Sequence, residues 1–572
     1  MNSLLKQYEL KLFSFILLLI LIIPAVYIVE ANEYSYSKGS LFQDIELIEV
    51  QGGLNLKITL KNKGDQEYRN VKITTKITGG IIFNQRVKNY TIPLLTCVAS
   101  SDTYTIQSQI IGFGLGFLKE KPQISIFLND DEETVVIGQI EARIIGLNIK
   151  VTDTLLNEEN VYDGYTLYTP EYSKNTYLVD NNGEVFHQWS SSYIQGMKTC
   201  LLENGIMVRA DSPYPPHPNL LAGGFTGHIG FYNAKSECIW EYTYSNRSHC
   251  LHHGFEVLPN GNILLIAVEY KNYAEAVHAG RNYNKLKYEK LCPDYLIEVK
   301  PNGSRGGEIV WEWHVWDHLI QDFDESKNNY GVVEDHPELI DINYGADKAD
   351  FTHINSIDYN EEFDQILLSV REFNEIWVID HSTSTEEAAS HSGGDYGMGG
   401  DLLYRWGNPI TYHMGTEQDQ QLFSQHDAEW IPMGYPGEGN ILIFNNQIPL
   451  QDSNNPNLRA YSSVMEIDPP VTQNGEYKKF GFTYGPHNPV WEYTDDNEYN
   501  FYSSFLSSSQ RLPNGNTLIC EGNKGKLFEV NKEHNIVWQY TNTIGFPNHV
   551  FSAQKYSMEY QGIKNLIQMK TS

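Results

Sequence analysis

The sequence predicts an all-β protein, a six-bladed β-propeller preceded by a small Ig-like β-sandwich. Three observations carry that expectation. Tyr (38), Phe (24), Trp (10) and Gly (45) are abundant while long helical periodicities are rare, a composition suited to pleated, half-buried strands. Short apolar runs are punctuated by turn residues, among them "ENG" at 203 and "PNG" at 259 and 513, and Asn-Gly favours the positive-φ turns of hairpins. One aromatic-ended motif also recurs six times along the last two-thirds of the chain, as radially repeated sheets require. At 572 residues the chain is too long for one ordinary core.

The N-terminus carries Lys6 and Lys11 beside an apolar run over 12–29, followed by "VEANEYS". Val29 and Ala31 suit the small positions before a cleavage site, and the run is also about long enough to span a bilayer. Residues 1–31 are therefore expected to be a signal peptide or a membrane anchor. The remainder is then extracytoplasmic, secreted or held at the cell surface. Sequons at Asn89, Asn246 and Asn302 are compatible with that address. The six cysteines, Cys97, Cys200, Cys238, Cys250, Cys292 and Cys520, show no zinc-like spacing and no readable disulfide framework; one or two bridges would suit an oxidising compartment.

Residues 33–147 alternate apolar and polar positions in "LNLKITLKN", "NVKITTKI", "TYTIQSQII" and "QISIFLND". Period-two patterning of this kind marks strands with one buried face, here those of a small sandwich. This stretch has one Cys and no His, which favours a spacer or binding module over a catalytic one.

Residues 150–572 carry the repeats: "GEVFHQW", "ECIWEY", "EIVWEW", "DLLYRW", "PVWEY" and "NIVWQY", ending at Trp189, Tyr242, Trp313, Trp406, Tyr493 and Tyr540. Most follow a strand and a turn, so each reads as the closing strand of a blade. Insertions over 272–292 and 317–349 absorb the uneven spacing. The tail "HVFSAQKYSMEY" is a strand left over after the sixth motif, expected to pair with the first blade and so remove exposed sheet edges.

A formal net charge of −31 excludes the basic footprint of a nucleic-acid binder, although a local cationic pocket can exist in an acidic protein. Three histidines stand out. His253 precedes Val257, His353 precedes Ile357 and His426 precedes Trp430, each by four residues. Blade register places all three at the start of innermost strands, whose ends converge on the central channel. Alternation puts Asn355 on the face of His353, and Arg371 follows in the next strand. A lone histidine at a strand start is usually a satisfied polar residue, and the set also reads as a polar plug or as a three-histidine metal site. Arg371 favours an anion over a metal ion. In "HCLHH", His252 points away from His253 in a regular strand and inward if the strand begins with a bulge.

The stretches "HHGFEVLPNGN", "THINSIDYNEEFDQILLSVR" and "QHDAEW" resemble the bacterial arylsulfate sulfotransferases, a propeller family, over roughly residues 165–572. The resemblance implies transfer of a sulfuryl group from a phenolic sulfate ester to a phenolic acceptor, without a nucleotide donor, a cofactor or a metal. His426 would carry the group, and His353, Asn355, Arg371 and His253 or His252 would surround its oxygens. Members of the family carry a short disulfide loop upstream of the nucleophile; here "HMGTEQDQQLFSQ" holds no cysteine. A non-catalytic propeller binding an anionic or glycan ligand is the alternative.

Overall fold

The computed structural model describes residues 45–571, apart from 52–54, 63–66, 79–80, 96–102, 115–122, 130–133, 147, 153, 157–160, 213–216, 451–459, 482, 496, 499, 543 and 545–546. The expected leader over 1–31 and Cys97 lie outside the described residues. The rest is all-β: strands dominate, and the α-helices among the described residues are Tyr273–His278, Thr385–Ala388 and Gln561–Thr571. The chain forms two compact units, 1–161 with 536–541, and 162–535 with 542–572.

In the first unit Leu56–Asn62 lies between Ile45–Gln51 and Thr103–Ser108. A second sheet contains Tyr68–Thr78, flanked by Val87–Leu95 and Gln123–Asn129. One apolar core joins the two sheets, with Leu56, Ile58 and Leu60 from the first and Ile73, Ile92 and Ile126 from the second. This is the alternation read from "LNLKITLKN" and its companions: every second residue is buried because successive side chains leave a strand on opposite faces. Thr154–Leu156 pairs antiparallel with Ile536–Thr541, Thr154 opposite Tyr540, so the sixth aromatic motif falls in this unit.

In the second unit the first sheet runs Val550–Ser557, Gly164–Pro170, Asn175–Val179, Val185–Ser190. The second runs Ile194–Leu201, Met207–Ser212, His228–Tyr232, Cys238–Thr243. The third runs His249–Val257, Ile263–Glu269, Asp294–Pro301, Gly307–His314. The fourth runs Ile354–Asn360, Gln365–Val370, Glu375–Asp380, Tyr404–Trp406, and the fifth His426–Trp430, Ile441–Pro449, Ala460–Ile467, Trp491–Tyr493. The sixth begins Ser508–Arg511, Thr517–Glu521, Lys526–Val530. In the first five sheets the aromatic motif is the last strand.

The first strands of these sheets pack on one another in a cycle. Ile194–Leu201 touches His249–Val257, which touches Ile354–Asn360, which touches His426–Trp430. His426–Trp430 touches Ser508–Arg511, which touches Val550–Ser557, and that strand returns to Ile194–Leu201. Val550–Ser557 reaches its place by pairing antiparallel with Gly164–Pro170, Gly164 opposite Ser557, so the tail supplies the strand that the first sheet lacks.

Motif aromatics fill the spaces between sheets, and Trp189 and Trp313 are fully buried. The Arg of "DLLYRW" is buried too. Arg405 makes a two-pronged contact with the Glu375 carboxylate, Nε to Oε1 at 3.0 Å and Nη2 to Oε2 at 2.6 Å, the pairing that lets a buried guanidinium keep its charge satisfied. Substituting Gly164 with Val tests the closing strand, because a Cβ there would lie 2.3 Å from the Tyr556 carbonyl oxygen. Gly164→Val is expected to lower stability by about 1–3 kcal/mol, read as a lower urea midpoint.

Candidate active site

The three histidines sit where the innermost strands lose their regular register. The third sheet's ladder slips between Leu251 and Phe255, the fourth's between Ile354 and Ser356, and the fifth's between His426 and Glu429. An extra residue in one strand bends it and re-aims side chains. Positive φ accompanies each slip: 53° at His253, 54° at His353 and 54° at Asp427. A non-glycine residue in the left-handed region costs roughly 1–3 kcal/mol, so the surroundings must hold it there. The equal four-residue offsets in the sequence thus hide unequal backbones. In the third and fourth sheets the histidine itself is left-handed; in the fifth that role falls to the residue after it.

The rings of His253 and His353 lie 4.8 Å apart, edge to face. His252 shares the bulge: its Nδ1 is 2.8 Å from His253 Nδ1, and its Nε2 lies 3.1 Å from Asp294 Oδ1 without hydrogen-bond alignment. His253 joins the array and His252 stands behind it. The strand does bulge here, yet it is His253 rather than His252 that meets His353. Phe551 of the closing strand lies 6.0 Å from the His253 ring. The Asn355 amide spans to the fifth sheet, donating from Nδ2 to the Gln425 carbonyl at 2.8 Å, just before His426. Arg371 donates its backbone N–H to the His353 carbonyl at 3.2 Å, and its guanidinium pairs with Glu372 while staying about one-fifth exposed. Its charge bears on all three imidazoles.

Partners fix the tautomers. Asn446 donates from Nδ2 to the carbonyls of Ser503 and Leu506, which leaves its Oδ1 facing His426 Nδ1 at 2.8 Å; the Ser424 carbonyl is 3.1 Å from the same nitrogen. Both are acceptors, so Nδ1 carries the proton and Nε2 presents a lone pair. Burial and the Arg371 charge pull the His426 pKa down to about 3, which keeps the ring neutral. Burial, reinforced by the neighbouring histidines and Arg371, also holds His253 well below the ordinary range. His353 differs. Burial lowers it too, but the Asp350 carboxylate, 2.6 Å from its Nδ1, outweighs burial and raises it.

Several contributors escaped the sequence reading. Asp350 and Asn446 orient two of the rings, and neither belongs to a spaced motif. Gly223 and Gly224 lie against the histidines; a Cβ at Gly223 would fall 2.5 Å from His353 Cε1, and one at Gly224 2.2 Å from His253 Cε1. The paired glycines in "LAGGF" were the available signal.

Beyond the array, bordered by Asn355, is a cavity of about 230 Å³ lined by Lys198, Glu256, Asp358, Asp427 and Glu429. Lys198 Nζ pairs with Glu256 at 2.9 Å. Burial and neighbouring carboxylates push Asp358 up to about 7 and hold Glu429 well above its usual range, and burial takes Asp427 up to about 6. The cationic surroundings expected around the histidines thus give way, past Asn355, to a layer of carboxyl groups that burial shifts toward the neutral form.

A profile of the arylsulfotransferase (ASST) family matches residues 150–561. The chain belongs to the arylsulfotransferase family. The match supports a sulfotransferase acting on aryl sulfates in general. No curated protein matches the chain. Among solved structures, a protein of unknown function from Bacteroides caccae is similar at 11% identity and a TM-score of 0.38, covering 69% of this chain and 98% of that one. Virginiamycin B lyase from Staphylococcus aureus is similar at 10% identity and a TM-score of 0.32, covering 69% and 89%. Likenesses this low say nothing about activity. Among the described residues, no helix of this arylsulfotransferase is long and apolar enough to cross a membrane, and Cys200, Cys238, Cys250, Cys292 and Cys520 are free thiols.

The protonation pattern is measurable. His353 is expected to titrate above the usual histidine value and to fall when Asp350→Asn removes the charge; His426 is expected to stay neutral with Nδ1 protonated across pH 5–8, both read by ¹⁵N NMR of the rings. Because the pKa values of His253 and His426 are depressed on folding, the unfolded chain takes up more protons below about pH 6.5. Stability is therefore expected to fall progressively as pH drops from that value toward about 3, the folded value of His426.

Proposed function

We propose that this arylsulfotransferase transfers a sulfuryl group from a phenolic sulfate ester to a phenolic acceptor through a covalent adduct on His426, without a nucleotide donor. The supporting observation is the lone pair on His426 Nε2, set by the Nδ1 contact to Asn446 and kept free of protons by burial. In the first step Nε2 attacks sulfur, an N–S bond forms and the S–O bond to the aryl group breaks. His353, which Asp350 keeps able to hold a proton, gives that proton to the departing phenolate. In the second step the acceptor oxygen attacks sulfur, the N–S bond breaks, and His353 takes the phenol proton. Dividing one transfer into two is ordinary covalent catalysis, and one imidazole serves both directions of proton movement.

Charge in such a transfer spreads over the three non-bridging oxygens, as in phosphoryl transfer. His253 and the Arg371 guanidinium are the groups proposed to meet it, and Asn355 holds the Gln425–His426 backbone beneath it. Fixed donors of this kind are worth roughly a few kcal/mol each in the transition state.

The architecture proposed for this chemistry is a six-bladed propeller over 150–572. The packing cycle of six first strands and the tail strand added to the first sheet support it. The two-sheet first unit is proposed as an Ig-like module, and the protein as secreted or surface-anchored.

Incubation with a chromogenic aryl sulfate tests the reading. Phenol release that depends on an added phenolic acceptor is expected, with a mass increase of one sulfuryl group on the peptide containing His426. His426→Ala should abolish both, and Arg371→Ala should lower kcat by about 100-fold or more. Binding of the ester without turnover would instead indicate a ligand-binding protein, and turnover lost on chelation with the fold and its stability unchanged would indicate a metal-dependent hydrolase.

A further inference from the structure

A second cluster lies away from the histidine array, where the end of the third sheet meets a loop of the fourth. His318 follows the strand Gly307–His314 and is fully buried. Its ring stacks on Trp313 at 5.6 Å, the planes within 8° of parallel. Its Nε2 is 2.8 Å from the Ala388 carbonyl oxygen. A carbonyl only accepts, so Nε2 carries the hydrogen, and the neutral ring presents a lone pair at Nδ1. That lone pair faces Asp401 Oδ1 at 2.8 Å, and Asp401 is itself almost fully buried. His391 Nδ1 reaches the same oxygen, also at 2.8 Å. Three potential ligand atoms thus crowd one point, all within 4.8 Å of one another. The contact between His318 Nδ1 and Asp401 thus sets one acceptor against another. A divalent cation would satisfy it, with His391 Nδ1 close enough to share the ion.

We propose that His318 Nδ1, His391 Nδ1 and an Asp401 carboxylate oxygen bind a zinc ion, with water as fourth ligand on the side where His391 is 60% exposed. Two imidazoles and a carboxylate with one open position are an ordinary zinc donor set. The carbonyl behind His318 is the outer partner that a metal-bound imidazole keeps, fixing its tautomer and orientation. The scaffold is built close: Trp313 Nε1 donates to the Gly400 carbonyl at 2.7 Å, and a Cβ at Gly400 would lie 2.6 Å from His318 Nε2. Ligand atoms 2.8 Å apart are nearer than the roughly 3.3 Å edge that bonds of about 2.0 Å give a tetrahedron, so binding would open the cluster slightly.

The site has structural work to do. Between Asp380 and Tyr404 the chain carries the run "SGGDYGMGG", with Gly393, Gly394, Gly397 and Gly399 all at positive φ. Glycines lose the most conformational freedom on ordering. An ion shared by His318 before the loop and by His391 and Asp401 within it would clip that segment to the third sheet, and its binding energy would become folding energy.

Tag-free full-length protein stripped with chelator and titrated calorimetrically with zinc chloride provides the test. One equivalent is expected, with Co²⁺ in its place giving the intense visible bands of a four-coordinate ion. His391→Ala alters an exposed side chain and should weaken zinc binding about 100-fold; Asp401→Asn should do the same. Unchanged zinc affinity in His391→Ala, no saturable zinc binding in the wild type, or a pale six-coordinate Co²⁺ spectrum would overturn the proposal.

Discussion

The site depends on a backbone constraint before it depends on any side chain. In three successive sheets the innermost strand breaks register at or just after a histidine, and a non-glycine residue is held at positive φ. Each such residue is strained by roughly 1–3 kcal/mol. What surrounds them is the packing cycle of first strands, each in contact with the next. Remove the bulges and the imidazoles would alternate with the pleat, some facing into a sheet interface. With them, the His253 and His353 rings meet at 4.8 Å, and the Asn355 amide ties the fourth sheet to the Gln425 carbonyl beside His426.

Charge is partitioned across this assembly with similar economy. Burial keeps His426 and His253 neutral, whereas the carboxylate of Asp350 lets His353 hold a proton. Environment alone thus separates the imidazoles kept neutral from the one able to hold a proton, the kind of pKa tuning by which sites commonly divide roles. The acidic layer around Lys198 sits just past Asn355.

Much of the scaffold could be read before any coordinates. Strand alternation in the first unit, the aromatic motifs on the last strands of five sheets and the tail strand completing the first sheet all follow from local patterns, because a strand's period and a turn's chemistry are properties of contiguous residues. Equal offsets drew attention to His253, His353 and His426 for the same reason. Asp350, Asn446 and the Gly223–Gly224 pair were not legible, since their contacts join residues that are distant in sequence or owe nothing to periodicity. Nor could spacing distinguish His252 from His253, because a bulge is decided by the neighbouring strand.

The most direct measurement is a crystal structure of the protein soaked with an aryl sulfate at neutral pH. The account predicts sulfur density bonded to, or in line with, His426 Nε2, with its oxygens in reach of His253, His353 and Arg371. Sulfate-ester density bound elsewhere, with the three rings turned apart and His426 Nε2 occupied by a protein partner, would contradict it.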